Sequence, residues 1–176
     1  MRASLRLFAT VLLALSAWLP CLGARADELP EYRLKAAFVY NFAAYTQWPS
    51  ATQHALAICT VGDDPFGKEL DGLQGKNVSG RTIEIRRKGA SRVLGECDVV
   101  FVAMGAIADL PHILEAVKGH ATLTIADTPG AASQGVMLNM AVAQDRVTFE
   151  ANQHAARDAG LVLSSKLLKL ATEVVQ

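Results

Sequence analysis

The fold is decided by a continuous apolar stretch in the middle of the chain, Asp98-Val99-Val100-Phe101-Val102-Ala103. A run this short and this apolar is typical of a strand that is buried on both faces of a sheet. Residues 55–61 and residues 121–126 have the same character. Because such strands need cover on both sides, the pattern predicts a mostly parallel, Rossmann-like α/β sheet with helices on both faces.

The segments between these runs fit the same architecture. Residues 66–73 and residues 110–118 have the apolar spacing of short helices, and residues 82–86 alternate between apolar and charged side chains. The resulting order is strand, helix, strand, connection, strand, helix, strand. This order is the one that a parallel sheet covered by helices requires.

A long apolar helix is predicted ahead of the first strand, over residues 30–46, and Trp48-Pro49 follows it. It is apolar on nearly every side, so we expect it to pack on the sheet and also against a second subunit or a partner. Aromatic side chains are enriched at the centres of interfaces. The candidate partner-binding residues are therefore Tyr40, Tyr45 and Trp48, with ordinary core packing as the alternative for each.

The last third of the chain changes pattern. Residues 136–142 and residues 146–151 predict two strands joined by a short loop, so we expect an antiparallel hairpin to finish the sheet. Asn152 is positioned to cap a short helix that ends near Gly160. Ser164 or Ser165 is positioned to cap a last helix whose apolar face extends to Val174.

The first 26 residues have the features of a secretory signal peptide. Arg2 and Arg6 precede an apolar run over residues 7–19, and Ala24-Arg25-Ala26 fits the cleavage pattern. We therefore expect cleavage after residue 26, a single mature domain over residues 27–176, and a periplasmic location.

The charge balance excludes one class of partner. The whole sequence has 17 Lys and Arg and 17 Asp and Glu, and Arg2, Arg6 and Arg25 leave with the signal peptide, so the mature chain has a net charge of −3. A nucleic-acid-binding domain usually has a basic excess, so no nucleic-acid role is expected. The one basic cluster, residues 86–88 with Arg81 and Arg92 nearby, is either the solvated end of a strand or a site for an acidic partner.

Two cysteines, Cys59 and Cys97, remain in the mature chain. In an exported domain two cysteines most often form a disulfide, with two buried free thiols as the alternative. Cys59 lies near the end of the first predicted strand and Cys97 just before the third. If those strands are neighbours, their backbones are about 5 Å apart, which suits a disulfide.

No compact catalytic motif is present in the sequence. Residues 62–69 nearly match a phosphate-binding loop, but Glu69 stands where a Ser or Thr would hold magnesium, and Asp63 and Asp64 would repel phosphate. The histidines show no metal-site spacing, so we expect neither a metal nor a cofactor, and binding rather than catalysis. A small ligand at the carboxyl ends of the parallel strands would meet Asp63, Asp64, Asp127 and Thr128.

Several stretches taken together resemble the YfiR family of periplasmic regulators. They are residues 32–42 with Trp48-Pro49, residues 58–67, residues 123–127, residues 146–152 and residues 159–171. The resemblance implies a homodimeric, non-catalytic repressor that binds the periplasmic sensor domain of a membrane-anchored diguanylate cyclase and so controls cyclic di-GMP signalling and biofilm formation. Cys59 and Cys97 match the family's first cysteine pair, and a second pair known in some members has no counterpart here. The alternative function is a periplasmic small-molecule-binding module.

Overall fold

The computed structural model describes residues 28–49, 54–89, 93–143 and 146–176; the expected signal peptide, residues 1–26, and Arg92 lie outside these ranges. In chain order the described elements are α1 (Glu28–Ala44), β1 (Thr46–Gln47), β2 (Leu56–Val61), α2 (Lys68–Asp71), β3 (Asn77–Val78), β4 (Arg81–Gly89), β5 (Val99–Val102), α3 (Leu110–Val117), β6 (Leu123–Ala126), β7 (Leu138–Ala143), β8 (Arg146–Asn152), α4 (Gln153–Asp158), β9 (Val162–Leu163), α5 (Ser165–Leu168) and β10 (Glu173–Val175). Two short 3-10 helices, Met104–Asp109 and Ala132–Gln134, complete them.

Eight of these strands form one sheet in the order β10-β8-β7-β6-β5-β2-β4-β3. The five strands from β7 to β4 are parallel to one another. β8 is antiparallel to β7 and forms the expected hairpin with it, and β3 is antiparallel to β4. The predicted α/β class with a mostly parallel sheet is therefore confirmed.

Helices cover both faces of the sheet. Alternate side chains of β2 belong to different cores, because Ile58 packs in the cluster beneath α1 and Cys59 packs in the cluster beneath α3. On the α1 face the rings of Phe42 and Phe149 meet edge to face with centroids 4.9 Å apart. On the opposite face Ile113 of α3 is buried. The near-continuous apolar strands are thus explained by burial on both sides.

Helix α1 ends earlier than the sequence pattern indicates. Its last residue is Ala44, and the next turn of the predicted helix becomes strand β1, which pairs with β9 in a separate two-stranded ribbon. Thr46 is buried, and its hydroxyl donates a hydrogen bond to the carbonyl of Phe42 at 2.7 Å. Neither two-residue strand was predicted, since two residues carry no periodicity.

The C-terminal segment differs from the prediction in two respects. The helix that begins after Ser164 stops at Leu168, so the prediction of a helix reaching Val174 is wrong. Val174 instead lies in β10, which pairs in parallel with β8 and becomes the sheet edge in place of the hairpin. Both predicted caps are present, because the side chain of Asn152 accepts from the amide of Ala155 and the side chain of Ser164 from that of Leu167.

Cys59 and Cys97 form the predicted disulfide, with Cα atoms 5.9 Å apart. The geometric reason is the expected one, since β2 and β5 are neighbours in parallel register. Both residues are buried beneath α3. The bond links β2 to the segment just before β5 and encloses α2, β3 and β4 in a loop with a sequence separation of 38 residues.

Candidate functional site

One side of α1 is open to solvent. Lys35, Ala36, Val39, Phe42 and Ala43 are buried on the other side. The exposed residues on the open side are Arg33, Leu34, Ala37, Asn41 and Ala44, and the exposed Tyr45 directly follows the helix. We call Leu34, Ala37, Asn41, Ala44 and Tyr45 the α1 surface. Leu34 is 48% exposed and Tyr45 is 40% exposed. Within this chain α1 is therefore buried on one face only, and the expected burial of its second face by another chain stays a prediction.

The three predicted partner-binding aromatics have different environments. Tyr45 belongs to the α1 surface. Tyr40 is half-buried against the core, and its hydroxyl donates to the carbonyl of Asn77 at 3.1 Å. Trp48 also packs against the core, with the guanidinium carbon of Arg81 lying 5.9 Å from its ring centroid. Tyr45 is therefore the one of the three with a largely free side chain.

The predicted ligand-binding residues lie at the carboxyl ends of the parallel strands. Asp127, directly after β6, is buried, and its Oδ2 accepts from Lys35 Nζ at 2.7 Å and from the Tyr32 hydroxyl at 3.0 Å. Asp127 Oδ1 and Thr128 Oγ1 are buried and have no hydrogen-bond partner in the described part of the chain. The sequence did not indicate that α1 supplies the cation for this carboxylate.

Asp63 and Asp64 follow β2 at the same edge. Asp63 is exposed, whereas Asp64 accepts from the amide of Phe66 at 3.0 Å and from Arg87 Nε at 2.7 Å. Gly62 makes the turn that leads into them, with φ of 88°, and a Cβ there would stand 2.9 Å from the Cβ of Ala106. The carboxylate of Asp64 thus holds the loop on β4.

The basic cluster at residues 86–88 is neutralised by neighbouring carboxylates. Arg87 pairs with Asp64 and Asp71, each within 2.8 Å. Arg86 donates to Glu84 at 2.8 Å, and this hydrogen bond lowers the pKa of Glu84 and raises the pKa of Arg86. Each arginine therefore has acidic neighbours, which favours the interpretation as a solvated strand end over a free anion site.

A cavity that the sequence did not indicate opens at the opposite, amino-terminal edge of the parallel strands. Its volume is about 690 Å³, and it is lined by Trp48, Arg81, Asp98, His54 and His120 among others. Arg81 begins β4 and Asp98 immediately precedes β5, and they form an ion pair of 2.7 Å across the end of β2. This ion pair could have been predicted only from the positions of Arg81 and Asp98 at the starts of two parallel strands.

Two further properties bear on function. Among the described residues no three His, Cys, Asp or Glu side chains are grouped so as to hold a metal ion. In the same ranges no helix is both long enough and apolar enough to cross a membrane.

Solved structures resemble this fold at low sequence identity. The ABC domain in complex with L-Trp from Streptococcus pneumonia matches with a TM-score of 0.55 and 9% identity over 82% of this chain. A conserved domain protein from Vibrio cholerae matches with a TM-score of 0.56 and 9% identity over 81% of this chain. The chain spans 60% of the length of each of these structures. Identity this low shows the shared α/β fold and nothing about ligands.

The family comparison is more specific. A model described as YfiR/HmsC-like matches residues 32–172, from the second turn of α1 to the residue before β10. The match includes both cysteines of the disulfide, the α1 surface and the residues at both edges of the parallel strands. The resemblance seen in the sequence is confirmed, and the chain belongs to the YfiR/HmsC-like family.

Proposed function

We propose that this protein is a periplasmic regulator that binds the periplasmic sensor domain of a membrane-anchored diguanylate cyclase and represses it. Through the cyclase it would control cyclic di-GMP signalling and biofilm formation. The observation that carries the proposal is the family match over residues 32–172. The periplasmic location, the absence of catalysis and a homodimeric state belong to the same proposal.

The α1 surface supports a role in protein binding. Leu34 lies on the exposed side of a helix whose opposite side is anchored in the core by Val39 and Phe42, and Tyr45 directly follows this helix. A rigid helix that presents apolar and aromatic side chains to solvent is a common recognition element. The surface continues onto the ribbon, where Gln47 and Val162 pair and are both exposed. We assign this continuous surface to the cyclase sensor domain.

The disulfide supports an extracytoplasmic location. Cys59 and Cys97 are bonded and buried, and such bonds persist in oxidising compartments such as the bacterial periplasm. In the reducing cytosol Cys59 and Cys97 would be expected to remain free thiols.

Capture of the cyclase from detergent-solubilised membranes of the source bacterium tests the proposal. The full chain, recovered from the periplasm, is expected to retain a membrane protein that carries a diguanylate cyclase domain. Leu34→Glu and Tyr45→Ala are expected to reduce capture at least tenfold, because they change the centre of the proposed interface. Val142→Glu is the matched control, since Val142 is also an exposed apolar residue but lies on the β7–β8 hairpin. Equal capture by all variants, or capture of no cyclase by the folded, oxidised protein, would contradict the proposal.

A second candidate function is small-molecule binding at the carboxyl edge, by Asp63, Asp64, Asp127 and Thr128. The observation that favours it is the pair of buried, unpartnered oxygens, Asp127 Oδ1 and Thr128 Oγ1, within the described residues. Native mass spectrometry of the periplasmic protein is expected to show a bound small molecule that is lost in Thr128→Val. The same mass for the protein before and after denaturation would count against this function.

A further inference from the structure

The cavity at the amino-terminal edge of the sheet combines polar and apolar walls. It lies beside the first residues of β2, β4, β5 and β6 and encloses about 690 Å³, which is within the usual range for small-molecule sites. Ala55, Ala57 and Ala121 contribute apolar wall, and Trp48 contributes an aromatic one. The cavity is at the opposite end of the strands from Asp127 and Thr128.

Arg81 is held rigidly at this cavity. Its Nε donates to the carbonyl of His54 at 3.0 Å, and its Nη2 donates to the carbonyl of Ala55 at 2.9 Å. The same Nη2 lies 2.7 Å from Asp98 Oδ1, and the other oxygen of Asp98 accepts from the amide of Ala57 at 2.8 Å. The Arg81 side chain is only 10% exposed. Its orientation is therefore set by three contacts on one side of the guanidinium group.

Two donors at the cavity are left without acceptors. Arg81 Nη1 and Trp48 Nε1 are both buried, and neither has a hydrogen-bond partner in the part of the chain that the structure describes. The two side chains are neighbours, since the Arg81 guanidinium carbon lies 5.9 Å from the Trp48 ring centroid. Buried donors without partners are rare and carry a free-energy penalty. Two neighbouring ones beside a cavity indicate a missing acceptor.

The surrounding charges restrict which acceptor fits. Asp98, Glu84 and Glu96 also line the cavity, and these carboxylates would repel a group with two negative charges. Glu84 and Glu96 are matched by two cations: Arg86 donates to Glu84 at 2.8 Å and lies 3.5 Å from Glu96, and Lys88 lies 4.0 Å from Glu96. A singly charged carboxylate has two acceptor oxygens and suits one guanidinium donor and one indole donor.

We propose that this cavity binds a small organic carboxylate. One carboxylate oxygen accepts from Arg81 Nη1 and the other from Trp48 Nε1, while the apolar body of the ligand lies against Trp48, Ala57 and Ala121. Neither the α1 surface nor the carboxyl edge contributes to this site. The inference therefore goes beyond the proposed regulatory function, and failure of either proposal would leave the other unaffected.

Fluorescence titration provides a direct test. The sequence contains two tryptophans, Trp18 and Trp48, and cleavage after residue 26 leaves Trp48 alone. The protein purified from the periplasm is titrated with benzoate and phenylacetate, and in parallel with benzamide and phenylacetamide. The carboxylates are expected to change Trp48 emission saturably, and the neutral amides to bind about tenfold more weakly, because an amide has one acceptor oxygen for the two donors where a carboxylate has two.

Calorimetry on two variants identifies the donors. Trp48→Phe keeps an aromatic wall and removes only the indole N–H, and Arg81→Lys keeps the charge but removes the forked geometry. Each is expected to weaken carboxylate binding about tenfold. Val142→Ala, on the β7–β8 hairpin, is the control that leaves affinity unchanged. Absence of any carboxylate binding to the folded, oxidised wild-type protein, or unchanged affinity in Trp48→Phe, would overturn the proposal.

Discussion

Lys35 Nζ lies 2.7 Å from Asp127 Oδ2, and this buried ion pair attaches α1 to the carboxyl end of β6. The exposed fractions of the two side chains are 5% and 1%, so neither charge is solvated by bulk water. Glu31 pairs with Lys35 from one turn earlier in the helix, and Tyr32 donates its hydroxyl to the same Asp127 oxygen. The position of α1 on the sheet therefore depends on electrostatics as well as on apolar packing.

Removing one partner of this pair is expected to be more destabilising than removing both. Lys35→Met leaves Asp127 buried without its cation and should lower the free energy of unfolding by about 3–5 kcal/mol. The double variant Lys35→Met/Asp127→Leu removes both charges and should cost less than Lys35→Met alone. Urea unfolding followed by circular dichroism measures both values. A double variant at least as unstable as Lys35→Met alone would contradict this account.

Reduction of the Cys59–Cys97 bond is expected to lower the free energy of unfolding by about 4 kcal/mol, the chain-entropy value for a loop of 38 residues. Urea unfolding with and without a phosphine reductant measures the difference. The variant Cys59→Ala/Cys97→Ala is the control, because its unfolding should not respond to reductant. An unchanged unfolding midpoint in a sample whose two thiols have been shown to be free would contradict the prediction.

Asn152 makes two hydrogen bonds that can be separated by substitution. Its Oδ1 accepts from the amide of Ala155 at 2.9 Å, and its Nδ2 donates to the buried carbonyl of Ala132 at 3.0 Å. Asn152→Ala is expected to cost about 2–4 kcal/mol, because it removes the helix cap and leaves that carbonyl unsatisfied. Asn152→Ser keeps a capping oxygen and should cost roughly 1 kcal/mol less. Thermal unfolding of both variants checks the order, and equal losses would show that the cap contributes nothing.

The α1 surface can be covered by only one chain at a time, so it is expected to mediate self-association in the absence of the cyclase, as an alternative to partner binding. Sedimentation velocity should show a dimer for the wild-type protein and a monomer for Leu34→Glu, because a buried glutamate without a partner opposes association. Val142→Glu should remain a dimer. Leu34 is already exposed in the single chain, so its substitution should change the free energy of unfolding of the monomer by no more than about 0.5 kcal/mol. A wild-type protein that sediments as a monomer at every concentration tested would contradict the prediction.

The central strands and the disulfide could be predicted from the sequence because each has a strong local signal. β2, β5 and β6 are buried on both faces, and this requirement produces uninterrupted apolar runs. The neighbouring positions of β2 and β5 then bring Cys59 and Cys97 together. For the central strands and the disulfide, the residues that determine the structure are therefore the same residues that form the recognisable pattern in the sequence.

The remaining elements depend on contacts between residues far apart in the chain. Val174 has the spacing of a helical residue, but pairing with Ala151 places it in a strand. Arg81 and Trp48 are 33 positions apart, and nothing near either residue indicates that they share a cavity. Asp127 was predicted to face a ligand. Its carboxylate pairs with Lys35 of α1, and this contact depends on how α1 packs on the sheet. Local periodicity contains no information on such tertiary pairs.

The two edge strands of the sheet have a consequence for how this protein meets other chains. β3 has two residues and β10 has three, so they cover only the first residues of β4 and the last residues of β8, and most of β4 pairs with β2 alone. This open part of β4 contains Arg86, Arg87 and Lys88, and charged side chains on an edge strand are a known protection against strand-to-strand polymerisation. The sheet is therefore expected to have little tendency to seed cross-β fibres through this edge. A second chain is then expected to recognise the protein by its side chains, whose identity evolution can tune, rather than by the backbone that every protein has in common.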